Sequence, residues 1–475
     1  MGQAQSNQET VGEKVLNAVT APLAACCSTR APARASVLLN KKGELPVCNA
    51  AYKGELSELQ SLAHQGPGRK LHVSEKDADD NTPLHWAAVR GHAKCTDYLL
   101  KCEADVNAKN KDKDTPMHWA CSGGNVEVVR LLVEAGADGV ARNSDYTTPL
   151  HFAAADGHGE AVKLLLSSMN YRKQEAVNAA NMDKDTPLHW VASEGHVEVV
   201  KILLAEKADV NACNKDLNTP LLVACAEGHT AVVKVLLASG ANVQMYNKDH
   251  WSAVHWACAS GRQEVMKELL LNGGNPHAKT KKGETPLHFA AAKGDHIMVK
   301  ILAALGVDLK VANVDGNQAI HLAAEGGFAE VVKVLLDKGI SPDVVNNSQD
   351  TPLHLASGSL SPPFVASTSP PLSSLHPTSS FPPLHLSRSS GSFTQSSTAG
   401  GHVKAVEILI AGGCRLDKRN AGSLTPLHLA AQKSKPGVVR GLIAAGADAG
   451  LRDAQGLTAQ ELATDKATAG AFARR

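Results

Sequence analysis

Apolar residues in this chain come in short bursts at helical spacing rather than along extended faces. Val128, Val129, Leu131 and Leu132 form one burst, and Val199, Val200, Leu203 and Leu204 another. A shorter run precedes each, and its clearest copy is Thr82-Pro83-Leu84-His85-Trp86-Ala87-Ala88 followed by Gly91-His92. The pattern predicts pairs of short helices. Thr-Pro suits a helix start, because the threonine hydroxyl caps free N–H groups and proline is tolerated at the first helical position. Gly91, Gly195 and Gly228 end first helices, and Gly136-Ala137-Asp138 or Gly240-Ala241-Asn242 end second ones. Turn formers such as Asn110-Lys111-Asp112-Lys113-Asp114 then lead to the next Thr-Pro.

The run begins at Thr82, Thr115, Thr148, Thr186, Thr219, Ser252, Thr285, Gln318, Thr351, Thr425 and Thr458, mostly 33 residues apart. Two steps are longer, 38 from Thr148 and 74 from Thr351, which leaves insertions of 5 and 41 residues. Two short helices and a turn cannot bury their apolar faces alone, so the units must stack into a solenoid. With Thr-Pro-Leu-His-x-Ala-Ala, Gly-His, Val-Val-x-x-Leu-Leu and Gly-Ala-Asp-Val-Asn-Ala at this period, the chain closely resembles the ankyrin-repeat family from about Leu45 to Glu461. The resemblance implies an all-α ankyrin-repeat solenoid of about 12 helix-turn-helix units with β-turn or hairpin fingers, and a concave groove that binds other proteins.

Residues 45–357 read as repeats, with 45–81 a degenerate N-terminal cap in which Leu45-Pro46-Val47-Cys48 stands at the motif position and about four extra residues lengthen the loop from Gln65 to Val73. The five-residue excess near Met169 to Gln174 is expected to bulge from a loop. Residues 358–398 carry 14 Ser, 7 Pro and a single charge, Arg388, a composition that cannot form a packed core. Joining Ser357 to Ala399 restores a unit, so this segment interrupts a repeat between its two helices. Two readings stand: a regulated loop offering Ser361-Pro362 and Ser369-Pro370 to proline-directed kinases, or a retained intron. Residues 399–475 hold the remaining repeats and a worn C-terminal cap.

A length of 475 residues would suggest about three compact domains, but the repeat overrides that expectation. With 48 basic and 47 acidic residues, net +1, no global field recruits nucleic acid. No apolar run approaches the roughly 18 residues that cross a bilayer, and the start lacks a secretory layout, so an intracellular, cytoplasmic location is expected. Of the ten cysteines, Cys121, Cys225 and Cys258 sit at the second Ala position and read as packing thiols.

Residues 1–44 read as a flexible segment. Met1-Gly2-Gln3-Ala4-Gln5-Ser6 fits N-myristoylation of Gly2. Cys26 and Cys27 are candidate palmitate acceptors, and Lys14, Arg30, Arg34, Lys41 and Lys42 supply basic charge, the second signal a stable anchor needs. Peripheral membrane contact through these acyl chains is expected; an organellar transit peptide is the weaker alternative, since Glu9 and Glu13 count against it.

Nine histidines share one motif position: His85, His118, His151, His189, His255, His288, His321, His354 and His428. A zinc ion needs its ligands within about 2.3 Å of one point, whereas stacked helices stand roughly 8–10 Å apart. One histidine per unit is therefore no metal site, and the resemblance implies that it ties neighbouring turns. The aromatics at the next position, among them Trp86, Trp119, Phe152, Trp190, Trp256 and Phe289, read as packing residues. No phosphate-binding loop, nucleophile elbow, kinase signature or Cys-x-x-Cys occurs, and neither non-repeat segment has room for a catalytic domain. No catalytic residue, metal or cofactor is expected.

A surface remains. The turn tips carry Lys111, Asp112 and Asp114; Ser144, Asp145 and Tyr146; Met182, Asp183 and Asp185; Lys215 and Asp216; Lys248, Asp249, His250 and Trp251; and Lys281, Lys282 and Glu284. First-helix ends add Arg90, Asp156, Glu194, Glu227 and Lys293. Tyr146 and Trp251 stand out as large aromatics with no evident core to enter, so the segment between them is the expected contact zone. The resemblance also likens Asn107 and Asn211 to positions that asparagine hydroxylases modify. The expectation is a monomeric, non-enzymatic adaptor for a protein partner of unknown identity, or alternatively a targeting subunit that brings a phosphatase, ubiquitin ligase or acyltransferase to its substrate.

Overall fold

The computed structural model describes residues 45–63, 72–169, 172–358 and 395–473. The expected lipid acceptors Gly2, Cys26 and Cys27, and both Ser-Pro sites, lie outside the described residues. Among them are 24 helices and no strand, with isolated antiparallel bridges at Tyr246–Ser252 and Arg452–Thr458. Eleven helix pairs run from Pro46–Lys53 with Leu56–Ala63 to Pro426–Gln432 with Pro436–Ala444. Two compact units divide the chain: one takes in the described residues up to Glu194 together with Ala205–Lys207, the other Gly195–Leu204 and the described residues from Ala208 onward.

Nine first helices start in the same way, and in the one after Thr219 Leu222 replaces the histidine, leaving Thr219 Oγ1 to accept from Leu222 N. The N–H of Thr82 donates to Nδ1 of His85 at 3.1 Å, with the threonine hydroxyl 2.9 Å from that nitrogen. This is a capping box in which histidine replaces the usual Glu or Gln three residues on. Because Nδ1 accepts, Nε2 carries the proton, and it donates to the carbonyl of Asp114 in the next unit at 3.0 Å. The motif histidine therefore starts its own helix and ties it to the following one.

Sequence separation across this bond measures each insertion. His85, His118, His255, His288 and His321 reach carbonyls 29 residues ahead. His151 reaches Asp185 O, 34 ahead, which is the five-residue excess. His354 reaches Leu424 O, 70 ahead, so all 41 inserted residues are spanned without loss of register. Cys48 stands where the histidine would, and its Sγ lies 3.9 Å from Asn81 O, 33 ahead, in keeping with the four-residue lengthening of the first loop.

The five-residue excess is a turn of helix rather than the expected bulge. Lys173–Val177 is helical, and Arg172 reaches back to Asp138 while Gln174 reaches forward to Lys207 O. Across the long insertion the second helix runs Gln395–Ala411, beginning before Ala399. His402 still donates from Nε2 to Glu325 O, as His158 does to Ser122 O. In the last unit Glu461 takes the histidine's capping role, accepting from Thr458 N, but only one turn follows before the single helix Lys466–Phe472.

Leu84, Ala87 and Ala88 of first helices and Val128, Val129 and Leu132 of second ones are fully buried, the layer that makes neighbours obligatory. Cys121, Cys225 and Cys258 lie in it, and burial drives their thiols far above the ordinary range, so they pack as small apolar groups.

Candidate partner-binding surface

Between a second helix and the next first helix the backbone makes a tight finger. In one, Asn110 N donates to Asp114 O and Lys113 N to Asn110 O, while Asn110 Oδ1 accepts from Asp114 N at 2.8 Å. The fourth residue of the finger must then enter the left-handed region, where an L side chain costs roughly 1–2 kcal/mol. Lys113 (φ +60°), Tyr146 (+60°), Leu217 (+59°) and His250 (+61°) all sit there, and glycine takes the same place at Gly283 and Gly316.

Backbone hydrogen bonds join successive fingers. In the first unit Lys111 N donates to Asp79 O, Ser144 N to Asp112 O and Met182 N to Asp145 O; in the second, Lys248 N donates to Asp216 O, Lys281 N to Asp249 O and Val314 N to Lys282 O. Side chains add a polar ladder, Asn110 Nδ2 to Asn81 Oδ1 and Asn143 Nδ2 to Asp114 Oδ1, each at 2.9 Å. Asn107 and Asn211 brace the finger base, their Oδ1 atoms accepting from Asp138 N and Asn242 N.

This geometry sorts the expected contact residues. Lys111, Asp112, Lys215, Lys248, Asp249 and His250 are exposed, and Arg90 is exposed with its guanidinium 5.0 Å above the Tyr52 ring. Asp145, Asp156, Asp183, Glu194, Asp216 and Glu227 are half-buried; Asp156 accepts from Ser122 Oγ. Tyr146 is 52% exposed.

Four expectations need correction, all at the residue immediately before the motif's Thr or Ser: Asp114, Asp185, Trp251 and Glu284, the last only 5% exposed. The side chain at this position turns inward, toward the ladder and the first helix. Asp114 accepts from Asn143 Nδ2 and from Trp119 Nε1, and Asp185 is fully buried. Trp251 is only 2% exposed, its ring packed on Trp256 and Phe289 at 4.5 and 4.3 Å. It does have a core to enter.

Trp251 also breaks the ladder. An asparagine at 280 would have no acceptor there, and position 280 is Thr, whose hydroxyl accepts from Lys282 N and Glu284 N instead. The Trp256 indole N–H is left buried without a partner beneath this cluster.

Sequence reasoning missed Leu217, 45% exposed at a left-handed tip, and Tyr246, 52% exposed with its ring 4.6 Å from His250. The alternation of buried Val243 with exposed Gln244 and Tyr246 is the signal that would have found the latter. Among the described residues no cluster of His, Cys, Asp or Glu is placed to hold a metal ion, and no helix is long and apolar enough to cross a membrane.

Helix pairs whose fingers are joined by backbone hydrogen bonds within each compact unit define a repeat protein built for protein–protein interaction. Models of ankyrin repeats match residues 79–111, 104–178, 172–247, 239–313, 298–365 and 409–463. The chain belongs to the ankyrin-repeat family. Among curated proteins it resembles 26S proteasome non-ATPase regulatory subunit 10 of Homo sapiens, 38% identical over 63 residues, 13% of this chain and 26% of that one. It also resembles ankyrin repeat domain-containing protein 13C of Danio rerio, 36% identical over 64 residues, 14% and 12% of the two chains. The chain thus matches about a quarter or less of each relative's length. A solved structure, the human ASB11 ankyrin repeat domain, is 29% identical and covers 49% of this chain and 100% of its own, with a TM-score of 0.43.

Proposed function

We propose that this protein is a non-enzymatic adaptor that holds a protein partner against its fingers and first-helix ends. The observation that carries the reading is Tyr146: a large aromatic at φ +60°, 52% exposed, on a tip where glycine would be free of strain. The next finger places Met182, 50% exposed, beside it through the bond from Met182 N to Asp145 O. Neither side chain adds to the core, and both are of the kind that anchors interfaces. Arg142, 5.9 Å from the Tyr146 ring, and the half-buried Asp145 and Asp183 give that patch a polar rim.

A membrane tether through Gly2, with Cys26, Cys27 and the basic residues before Leu45, completes this reading, which would place the adaptor at a cytoplasmic membrane face. A second reading, a subunit that brings an enzyme to its substrate, draws on one relative being a regulatory subunit of the proteasome.

The test is capture of the full chain from its own cells, wild type against Tyr146→Ala with Met182→Ala, with mass spectrometry of bound proteins and of the N-terminal peptide. Loss of a stoichiometric partner in the variant is expected, and the partner's identity separates adaptor from targeting subunit. Capture unchanged by the variant sinks the Tyr146 surface; an unmodified Gly2 sinks the tether.

A further inference from the structure

The fingers of the second unit differ from one another in charge. On most tips lysine and aspartate alternate, as in Lys215-Asp216 and Lys248-Asp249, and ion pairs cross between fingers, Lys248 to Asp216 at 3.3 Å. The finger from Asn275 to Glu284 exposes His277, Lys279, Lys281 and Lys282, and its own carboxylate, Glu284, is turned in against Thr280. No ion pair reaches these three lysines among the described residues.

Immediately beside it lies the finger carrying Tyr246 and His250, joined by the bond from Lys281 N to Asp249 O at 3.0 Å. One repeat of 33 residues relates Tyr246 to Lys279 and Lys248 to Lys281, so each lysine stands next to its counterpart. Taken together, the two fingers present four lysines, of which Lys248 is paired with Asp216, two histidines and the exposed Tyr246 ring against one exposed carboxylate of their own, Asp249.

We propose that these two fingers form a docking surface for an acidic, extended peptide segment of a protein partner. This deepens the adaptor reading and rests on it. His277, Lys279 and Lys281 point outward in alternation with half-buried or buried residues. These three basic side chains therefore emerge on the same side of the finger, as alternate side chains of an extended acidic partner would. Tyr246 supplies the apolar contact that bare charge lacks, and its desolvated edge strengthens the neighbouring ion pairs. A polynucleotide fits less well, because the chain's net charge is only +1 and the basic stretch is confined to these fingers.

The experiment is fluorescence anisotropy on the full chain with three labelled probes: a glutamate-rich peptide around a central tyrosine, the same peptide with glutamine for glutamate, and an oligouridylate. The glutamate peptide alone is expected to bind, with affinity falling as salt rises. The combined K279E, K281E and K282E variant should weaken it about tenfold or more, and Tyr246→Ala should weaken it without changing the salt slope. Reversal of Lys109 and Lys113, exposed in the first unit, should leave it unchanged. All of these side chains are exposed, so folding is not at stake. Equal binding of the glutamine peptide or the oligouridylate, no binding of the glutamate peptide, or full binding by the triple variant each overturns the proposal. A cellular partner lost on finger substitution while the glutamate peptide fails would leave the adaptor reading standing and remove only the acidic ligand.

Discussion

Lowering the pH should unfold this protein well before its carboxylates protonate, and the motif histidines set the size of the effect. Burial holds His85, His255, His288 and His321 at about 4 and His151 at about 3, below the ordinary 6.5. A protonated ring loses the Nδ1 acceptor on which the helix start depends. Because the folded value lies below the unfolded one, the unfolded chain takes up protons first. Stability is complete above pH 6.5 and falls as pH drops toward 4. Each such histidine costs roughly 1 kcal/mol per pH unit, so five together remove on the order of 5 kcal/mol between about pH 7 and 5.5. That is comparable with the whole stability of many domains. Urea unfolding followed by helical circular dichroism across this range should show the midpoint falling steeply with about one proton bound per histidine. His288→Leu provides the internal check. It removes the bonds to Thr285 N and Asn317 O and should cost about 2 kcal/mol at neutral pH. Below pH 6.5 its curve should converge on the wild type, because one titrating group is gone. Parallel curves, or resonances of these five rings titrating near 6.5 in the folded protein, would refute the reasoning.

Further outcomes follow from single positions. Gly124 has φ +66°, and a Cβ there would lie 2.4 Å from the His158 ring, so Gly124→Ala should cost about 2–4 kcal/mol in a denaturant melt, whereas Gly441→Ala, inside the helix Pro436–Ala444 with open space around it, should stabilise by up to about 1 kcal/mol. Thr280→Asn should destabilise by about 1–3 kcal/mol through an amide with no acceptor, and adding Trp251→Asn should recover part of that cost, measured as coupling in a double-mutant cycle. Trp251→Ala alone should cost about 3–5 kcal/mol of stability rather than act selectively on partner binding. Deleting Gly358–Thr398 should leave the melting transition in place, since the bond from His354 to Leu424 O already spans those 41 residues in register; loss of the cooperative transition would contradict that.

The helices were legible because each is specified locally. Thr-Pro-Leu-His contains its own cap, its own first turn and the donor for the next unit, so thirty-three-residue spacing alone placed the stack. The fingers were harder to read, since charge and turn propensity look alike at consecutive positions while the backbone sends one outward and the next inward. Lys248, Asp249 and His250 face solvent and Trp251 does not, and only the left-handed residue before it makes that switch. Asp114 and Asp185 fall on the same inward position. Tyr246 lay unnoticed among residues that looked like a mere connection, because its exposure comes from pairing its finger with its neighbours.

The bond from His354 to Leu424 also has a temporal side. Closing a 70-residue span instead of a 29-residue one costs only about 1 kcal/mol of chain entropy, so the finished fold hardly registers the difference. Synthesis does. At roughly 5–20 residues per second, the extra 41 residues delay the second half of that repeat by about 2–8 s. During that interval Ala329–Asp337 has emerged without Gln395–Ala411, the helix that packs on it, and the apolar face bearing Val331, Val332 and Leu335 stands open to water and to chaperones.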